Sequence, residues 1–223
     1  SNVVRSGLIV GLLLLTGCAH RPPATTADAG TARPFAAQLD SLRRASDSQV
    51  PPKVLEAGRK GLEELVAAKV TERALQVGAQ APAFALEDAR GVRVESAALL
   101  EKGPVVLVFY RGAWCPFCNL YLRELQRRLP EIQALGGSLV AISVEPPDRS
   151  LGVAEQNALT FTVLSDPKFQ VARKFGIVFE LPKVTNDAIL ELGFDLARYN
   201  GTEKSELPMS ATYVIAKSGQ VRY

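Results

Sequence analysis

One segment predicts the architecture of this chain: Val105-Val106-Leu107-Val108-Phe109-Tyr110-Arg111-Gly112-Ala113-Trp114-Cys115-Pro116-Phe117-Cys118. Its first six residues are an uninterrupted apolar run of strand length, which is typical of a central strand covered on both faces. Directly after it, leucines repeat at helical spacing from Cys115 to Leu129, so we expect a helix that ends at Pro130. The two cysteines therefore lie where a buried strand passes into a helix.

Strand and helix patterns alternate along the chain on the C-terminal side of this segment. This alternation predicts an α/β fold whose sheet is parallel at its centre, while a late hairpin adds antiparallel strands and makes the sheet mixed. The expected elements are, in chain order, a strand at Ser138–Val144, a short helix after Asp148, a strand at Phe161–Leu164, a helix at Pro167–Phe175 and a hairpin of Thr212–Ala216 with Val221–Tyr223.

A different pattern precedes the strand-rich part. Residues 35–75 predict one or two amphipathic helices, broken at Pro51-Pro52, which we interpret as a packing extension. Residues 76–223 contain all of the expected strands. The sequence therefore divides into a helical extension and one larger domain.

The first residues read as a targeting signal. Arg5 precedes the apolar run Gly7–Leu15, which is well short of the ~20 residues that a membrane-spanning helix needs. The run leads into Leu15-Thr16-Gly17-Cys18, which resembles the bacterial lipoprotein signal. We expect residues 1–17 to be a lipoprotein-type signal peptide and the Pro/Ala/Thr-rich residues 18–34 to be a flexible tether.

Lipidation at Cys18 would place the protein on a membrane through a lipid anchor, in the bacterial cell envelope and on its periplasmic or extracytoplasmic face. It would also account for the odd number of cysteines, which is three. An ordinary signal peptide with an incidental cysteine is the alternative.

Composition excludes several classes of function. With 26 basic and 23 acidic residues the net charge is +3, too balanced for nucleic acid to be the main partner. Arg123, Arg127 and Arg128 lie on the predicted helix and are interpreted as a solvated face. The one histidine, His20, argues against His-based zinc sites and Ser-His-Asp triads. We expect neither a metal nor another cofactor.

The cysteine pair has the chemistry of a redox dithiol. At a helix N-terminus, unpaired N–H groups and the positive end of the helix dipole stabilise a thiolate, so we expect the pKa of Cys115 to be lowered. Pro116 suits the first helical turn, and Cys118 lies one turn along the same face, within reach of a disulfide. We expect Cys115 to be exposed and to attack, and Cys118 to be more covered and to resolve. Half a zinc site and a static disulfide are the alternatives.

Trp114-Cys115-Pro116-Phe117-Cys118 resembles the active site of thioredoxin-like proteins. The flanking sequence resembles the peroxiredoxin-like branch of the alkyl hydroperoxide reductase C and thiol-specific antioxidant family, over about residues 77–223. The resemblance implies a thioredoxin-like fold for residues 76–223. The matching segments are Val77–Leu86, Phe109–Asn119, Leu164–Pro167, Ala172 with Lys174–Gly176, and Thr212–Ile215.

The resemblance implies a function and roles for individual residues. Cys115 would be oxidised by a hydroperoxide substrate to a sulfenic acid, Cys118 would condense with it, and a thioredoxin-like protein would reduce the disulfide. Arg111 would stabilise the departing oxygen, and Trp114 would pack beside the dithiol as a lid. The family usually has Thr or Ser where this chain has Gly112. A disulfide reductase of exported proteins and a catalytically weak envelope binding module are the alternative functions.

The C-terminal end of the sequence carries one further expectation. Tyr223 falls in the second strand of the predicted hairpin. Because a thioredoxin-like fold normally closes with a helix after that strand, we expect the C-terminal helix to be truncated here.

Overall fold

The computed structural model describes residues 34–223, which form one compact unit. Its helices are α1 (Phe35–Gln49), α2 (Pro52–Ala67), α3 (Ser96–Lys102), α4 (Pro116–Ala134), α5 (Pro147–Gln156), α6 (Gln170–Lys174), α7 (Lys183–Glu191) and α8 (Leu196–Asn200), with short 3-10 segments at Val70–Arg73 and Pro167–Phe169. Its strands are β1 (Ala85–Asp88), β2 (Arg93–Glu95), β3 (Val105–Phe109), β4 (Ser138–Ser143), β5 (Thr162–Ser165), β6 (Val178–Glu180), β7 (Glu206–Pro208) and β8 (Ala211–Ile215). The predicted signal peptide, Cys18 and all but the last residue of the predicted tether lie outside the described residues.

The main sheet has six strands in the order β2-β1-β5-β4-β3-β8. Its three central strands β5, β4 and β3 are parallel, while β1 and β8 pair antiparallel with β5 and β3. This arrangement confirms the predicted α/β fold with a mixed sheet. The predicted hairpin partner of β8 is also present, because Arg222 N–H donates to Val214 O at 2.7 Å.

The central strands are buried on both faces, as the apolar runs predicted. Leu107 and Phe109 of β3 pack into one cluster, and Val108 packs into a second cluster on the opposite face. That second cluster contains Cys115, Cys118 and the inward face of α4. The dithiol is therefore part of the core that joins α4 to the sheet.

The predicted end of α4 at Pro130 is wrong. The helix continues through Pro130 to Ala134, and the backbone turns at Gly136 and Gly137. A proline ring removes one helical N–H but is compatible with a helix when the neighbouring turns are held by packing. That packing is present, because Leu125 and Leu129 are buried on the inward face.

The helical extension has the predicted break at Pro51-Pro52, since α1 ends at Gln49 and α2 begins at Pro52. It packs against the rest of the unit: Thr185 Oγ1 of α7 donates to Ala57 O of α2 at 3.1 Å. The segment that supplies α7, α8 and the small β6–β7 sheet was not predicted. In the part of the chain described, no helix is both long and apolar enough to cross a membrane.

Candidate active site

The dithiol occupies the predicted junction between β3 and α4. Pro116 is the first residue of the helix, which confirms its expected place in the first turn. Cys115 precedes it as the N-cap residue, and its sulfur accepts the backbone N–H of Cys118 at 3.3 Å. The sulfur of Cys115 thus accepts one of the backbone N–H groups that have no partner within the helix.

The exposure predicted for the two cysteines is wrong. Both thiols are free and buried, with Cys115 at 3% and Cys118 at 6% of full exposure. Their sulfur atoms lie 2.7 Å apart. The expectation that Cys115 is open and Cys118 covered fails because Cys115 packs into the core cluster together with Val108 and Leu122.

The two thiols share one charge. The hydrogen bond between the two sulfur atoms lowers the pKa of Cys118 to about 6, against the effect of burial, and the backbone N–H and charge of Arg111 and the Ser210 hydroxyl lower it further. The same hydrogen bond, with burial, raises the pKa of Cys115, and the charge of Arg111 opposes that rise.

This is the reverse of the pKa direction expected for Cys115. The sulfur atoms are in hydrogen-bond contact, however, so the single thiolate and its proton belong to the pair rather than to either residue. Which sulfur attacks stays a prediction.

The residues Arg111–Trp114, called the dithiol loop below, are held by polar contacts from two elements. Glu145, just after β4, accepts the N–H of Ala113 at 2.9 Å, and Asn119 of α4 donates to the carbonyl oxygen of Ala113 at 2.7 Å. Both polar groups of the Ala113 backbone are therefore satisfied by side chains.

Asn119 is oriented in turn by a buried asparagine. Asn157 Nδ2 donates to Asn119 Oδ1 at 3.0 Å, and Arg123 donates to Asn157 Oδ1 at 2.8 Å. Arg123 thus has a specific contact, whereas Arg127 and Arg128 pair with Glu124 on the exposed side of the helix.

Glu145 is a site residue that was not predicted from the sequence. Its side chain is almost fully buried, at 1% exposure, and it also accepts the hydroxyl of Tyr199 at 2.6 Å. A signal was available: Glu145 directly follows the apolar run Ser138–Val144, and the carboxyl ends of adjacent parallel strands lie at the same edge of a sheet. Tyr199 carried no such signal.

Trp114 packs against the core cluster that contains both cysteines, and it also contacts an unpredicted part of the chain. Its ring lies 5.4 Å from the ring of Phe194, which lies 5.5 Å from the ring of Tyr199. Three aromatic side chains thus run from the dithiol loop to α8. Across residues 34–223, no group of three or more His, Cys, Asp or Glu side chains is arranged to hold a metal ion.

Comparison with known proteins gives a family match over residues 77–223, to the AhpC/TSA family. The chain is 36% identical over 103 residues to a putative peroxiredoxin bcp of Haemophilus influenzae, covering 46% of this chain and 66% of that protein. It is 35% identical over 104 residues to peroxiredoxin Bcp of Escherichia coli K12, covering 46% and 65%. The alignments thus span slightly less than two thirds of these relatives.

Solved structures agree with this match. Peroxidoxin BcpB of Mycobacterium tuberculosis superposes with a TM-score of 0.54 and 26% identity, over 66% of this chain and 82% of that one. A cysteine-to-serine mutant of PrxQ from Xylella fastidiosa has a TM-score of 0.55, over 67% and 84%, and at 12% identity it shows the fold alone. The family model covers the central sheet and the dithiol together. This chain belongs to the AhpC/TSA family, with a peroxiredoxin-like thioredoxin fold.

Proposed function

We propose that this protein is a thiol-dependent peroxidase that reduces hydrogen peroxide or organic hydroperoxides. One observation carries the proposal: in a chain of the AhpC/TSA family, a free Cys115 caps the N-terminus of α4 with its sulfur 2.7 Å from that of Cys118. The pKa of Cys118 is lowered to about 6, so near neutral pH the hydrogen-bonded pair carries a thiolate, which is the nucleophilic form.

The reaction has one oxidation by the hydroperoxide, one condensation that forms the disulfide, and one reduction that restores the dithiol. The Cys115 thiolate attacks the terminal oxygen of the hydroperoxide, the O–O bond breaks, and the alkoxide leaves and takes up a proton as the alcohol, or as water from hydrogen peroxide. Cys118 then attacks the sulfenic sulfur of Cys115, which forms the disulfide and releases water. An external dithiol, which we take to be a thioredoxin-like protein, reduces the disulfide and is itself oxidised.

Arg111 is proposed to stabilise the departing oxygen. Its side chain is half-buried, so its charge is less screened than that of a fully exposed arginine. It lies two residues after the end of β3 and four residues before Cys115. Preorganised positive charge is the usual device where negative charge develops on an oxygen.

The proposal is tested with the Cys118→Ser variant. Without a resolving thiol, a stoichiometric amount of peroxide should convert Cys115 to a sulfenic acid, seen by mass spectrometry as one added oxygen on its peptide. The Cys115→Ser variant is the control and should add no oxygen there. If Cys115 reacts no faster than a free thiol at the same pH, the peroxidase proposal fails.

A disulfide reductase of exported proteins is the second candidate. It is favoured by the close spacing of Cys115 and Cys118, which lets a mixed disulfide on one thiol be released at once by the other. Purified protein assayed with a peroxide and with a protein disulfide separates the two activities, and absence of both would leave the binding module. In either case we propose that a lipid on Cys18 holds the domain in the bacterial envelope.

A further inference from the structure

A buried carboxylate lies beside the dithiol loop, and the proposed chemistry does not use it. Glu145 is 1% exposed and follows the end of β4. Taking a carboxylate out of water is costly unless its oxygens are hydrogen-bonded, so a buried carboxylate is expected to have hydrogen-bond donors around it. Those partners lie in two separate parts of the fold.

We propose that Glu145 is a positioning residue: its carboxylate holds the dithiol loop and, through Tyr199, joins that loop to α8, and so controls how readily a reagent reaches the two buried thiols. The proposal deepens the proposed function, because it rests on the dithiol being the reactive group.

Glu145 contacts the dithiol loop directly. Glu145 Oε2 accepts the N–H of Ala113 at 2.9 Å, two residues before Cys115. The carbonyl of the same residue is held from the other side by Asn119. A shift of the dithiol loop therefore has to break a hydrogen bond on one side or the other.

Glu145 also contacts α8, through Tyr199. Glu145 Oε1 accepts the hydroxyl of Tyr199 at 2.6 Å, which ties together residues 54 positions apart. The Tyr199 ring is also contacted by Arg149, whose guanidinium lies 4.4 Å from the ring centre, and by Phe194. Phe194 contacts the ring of Trp114 in turn, so the hydrogen bond and the aromatic contacts join the same two segments.

The Glu145 side chain also lies close to the backbone of the dithiol loop. Gly112 has φ of +140°, and a Cβ built on it would lie 3.0 Å from Glu145 Oε1 and 3.0 Å from Trp114 Nε1. Glycine at this position thus lets the loop approach the carboxylate closely. The Trp114 indole N–H is buried and has no acceptor among the described residues. That nitrogen and Glu145 Oε1 thus lie on either side of the space that the missing side chain of Gly112 leaves open.

These contacts affect how a reagent reaches the two buried thiols. Both cysteines are buried, so a reagent reaches their sulfur atoms only when the surrounding packing opens, and Ala113 and Trp114 of the dithiol loop are part of that packing. That motion stretches or breaks the contacts of Glu145. Weakening them should make the local opening more frequent without unfolding the domain.

The test uses Tyr199→Phe in the full chain, which removes one hydroxyl and keeps the ring contacts with Phe194 and Arg149. The rate at which a maleimide labels the Cys115–Cys118 peptide is followed by mass spectrometry, at low urea concentrations where global unfolding does not contribute. Trp114 is the one tryptophan in the chain, so its fluorescence reports on the loop. Tyr213→Phe is the matched control, because Tyr213 is buried in the core on the opposite face of the sheet.

We expect Tyr199→Phe to label about three- to tenfold faster than the parent, the factor for loss of one hydrogen bond, and to shift the Trp114 emission. Tyr213→Phe should do neither. Glu145→Gln, which can still accept from Ala113 and donate to Tyr199, should stay near the parent, while Glu145→Ala should open the site further.

Equal labelling and emission in Tyr199→Phe and Tyr213→Phe would overturn the proposal. A Glu145→Gln variant as open as Glu145→Ala would overturn it too. Labelling needs no peroxide, so the result stands apart from the outcome of the peroxidase assay.

Discussion

The Cys115–Cys118 pair holds one proton between two buried sulfur atoms, and that proton sets its reactivity. Because the thiolate is the reactive form, a pKa near 6 at Cys118 means that the pair is charged above about pH 6 and loses its charge below it. An ordinary thiol is still largely protonated at neutral pH, with a pKa of ~8.5.

We therefore predict that alkylation of the Cys115–Cys118 peptide by iodoacetamide rises with a midpoint near pH 6 and is level above neutrality. Limited access to the sulfur atoms slows the reaction at every pH, while the midpoint follows the pKa of the pair, which already includes the effect of burial. We expect the label first on Cys115, since its sulfur accepts the helix N–H of Cys118 and the proton can pass between the two sulfur atoms. A midpoint near that of a free thiol would contradict the shared thiolate, and labelling of Cys118 first would reverse the roles.

Arg111→Met is predicted to slow the reaction of Cys115 with peroxide by about tenfold or more, because positive charge near the departing oxygen is lost. Since the charge of Arg111 also lowers the pKa of both thiols, the rates are compared well above the thiol pKa. Disulfide exchange with a small dithiol should persist. Arg128→Met, on the exposed side of α4, is the control, and equal rates in the two variants would remove Arg111 from the proposed mechanism.

At the scale of single elements, α4 is a helix whose sequence and structure conflict. Pro130 lies inside the helix, where it cannot donate to the carbonyl of residue 126. The helix persists because it spans 19 residues and buries five of them. Tertiary packing thus outweighs a local signal that favours an end.

Pro130→Ala should stabilise the protein by about 2 kcal/mol, the cost of an interior helical proline less the entropy that proline removes from the unfolded chain. Urea denaturation measures the free energy of unfolding. Pro147→Ala is the control, because Pro147 is the first residue of α5 and gives up no helical hydrogen bond there. A Pro130→Ala variant no more stable than the parent would show that the chain has adapted to the missing bond.

At the scale of the whole molecule, the predicted location of the protein rests on the sequence of residues outside the described range. The Leu15-Thr16-Gly17-Cys18 segment predicts lipidation, which would hold the domain at a membrane surface through the tether. Cys18→Ala should move the protein from the membrane fraction to the soluble fraction, followed by immunoblotting after cell fractionation. The Cys115→Ser variant should stay with membranes, and an unchanged distribution of Cys18→Ala would rule out the anchor.

The sequence alone determined the α/β class, the central strands and the strand-to-helix placement of the dithiol. These features depend on neighbours along the chain: the apolar run Val105–Phe109, Pro116 in the first helical turn, and the three-residue spacing of the cysteines. Local patterns predict local geometry because both arise from the same few backbone and side-chain contacts.

Only the tertiary structure decided how the site is enclosed. The burial of Cys115 and the contact of Glu145 with Tyr199 both depend on groups that are distant along the chain or packed from other elements. The segment 177–208, which contains Tyr199, has short elements and no strong periodicity, so it was not predicted. Burial and hydrogen-bond partners are properties of the folded packing, which brings such residues together only when the whole domain forms.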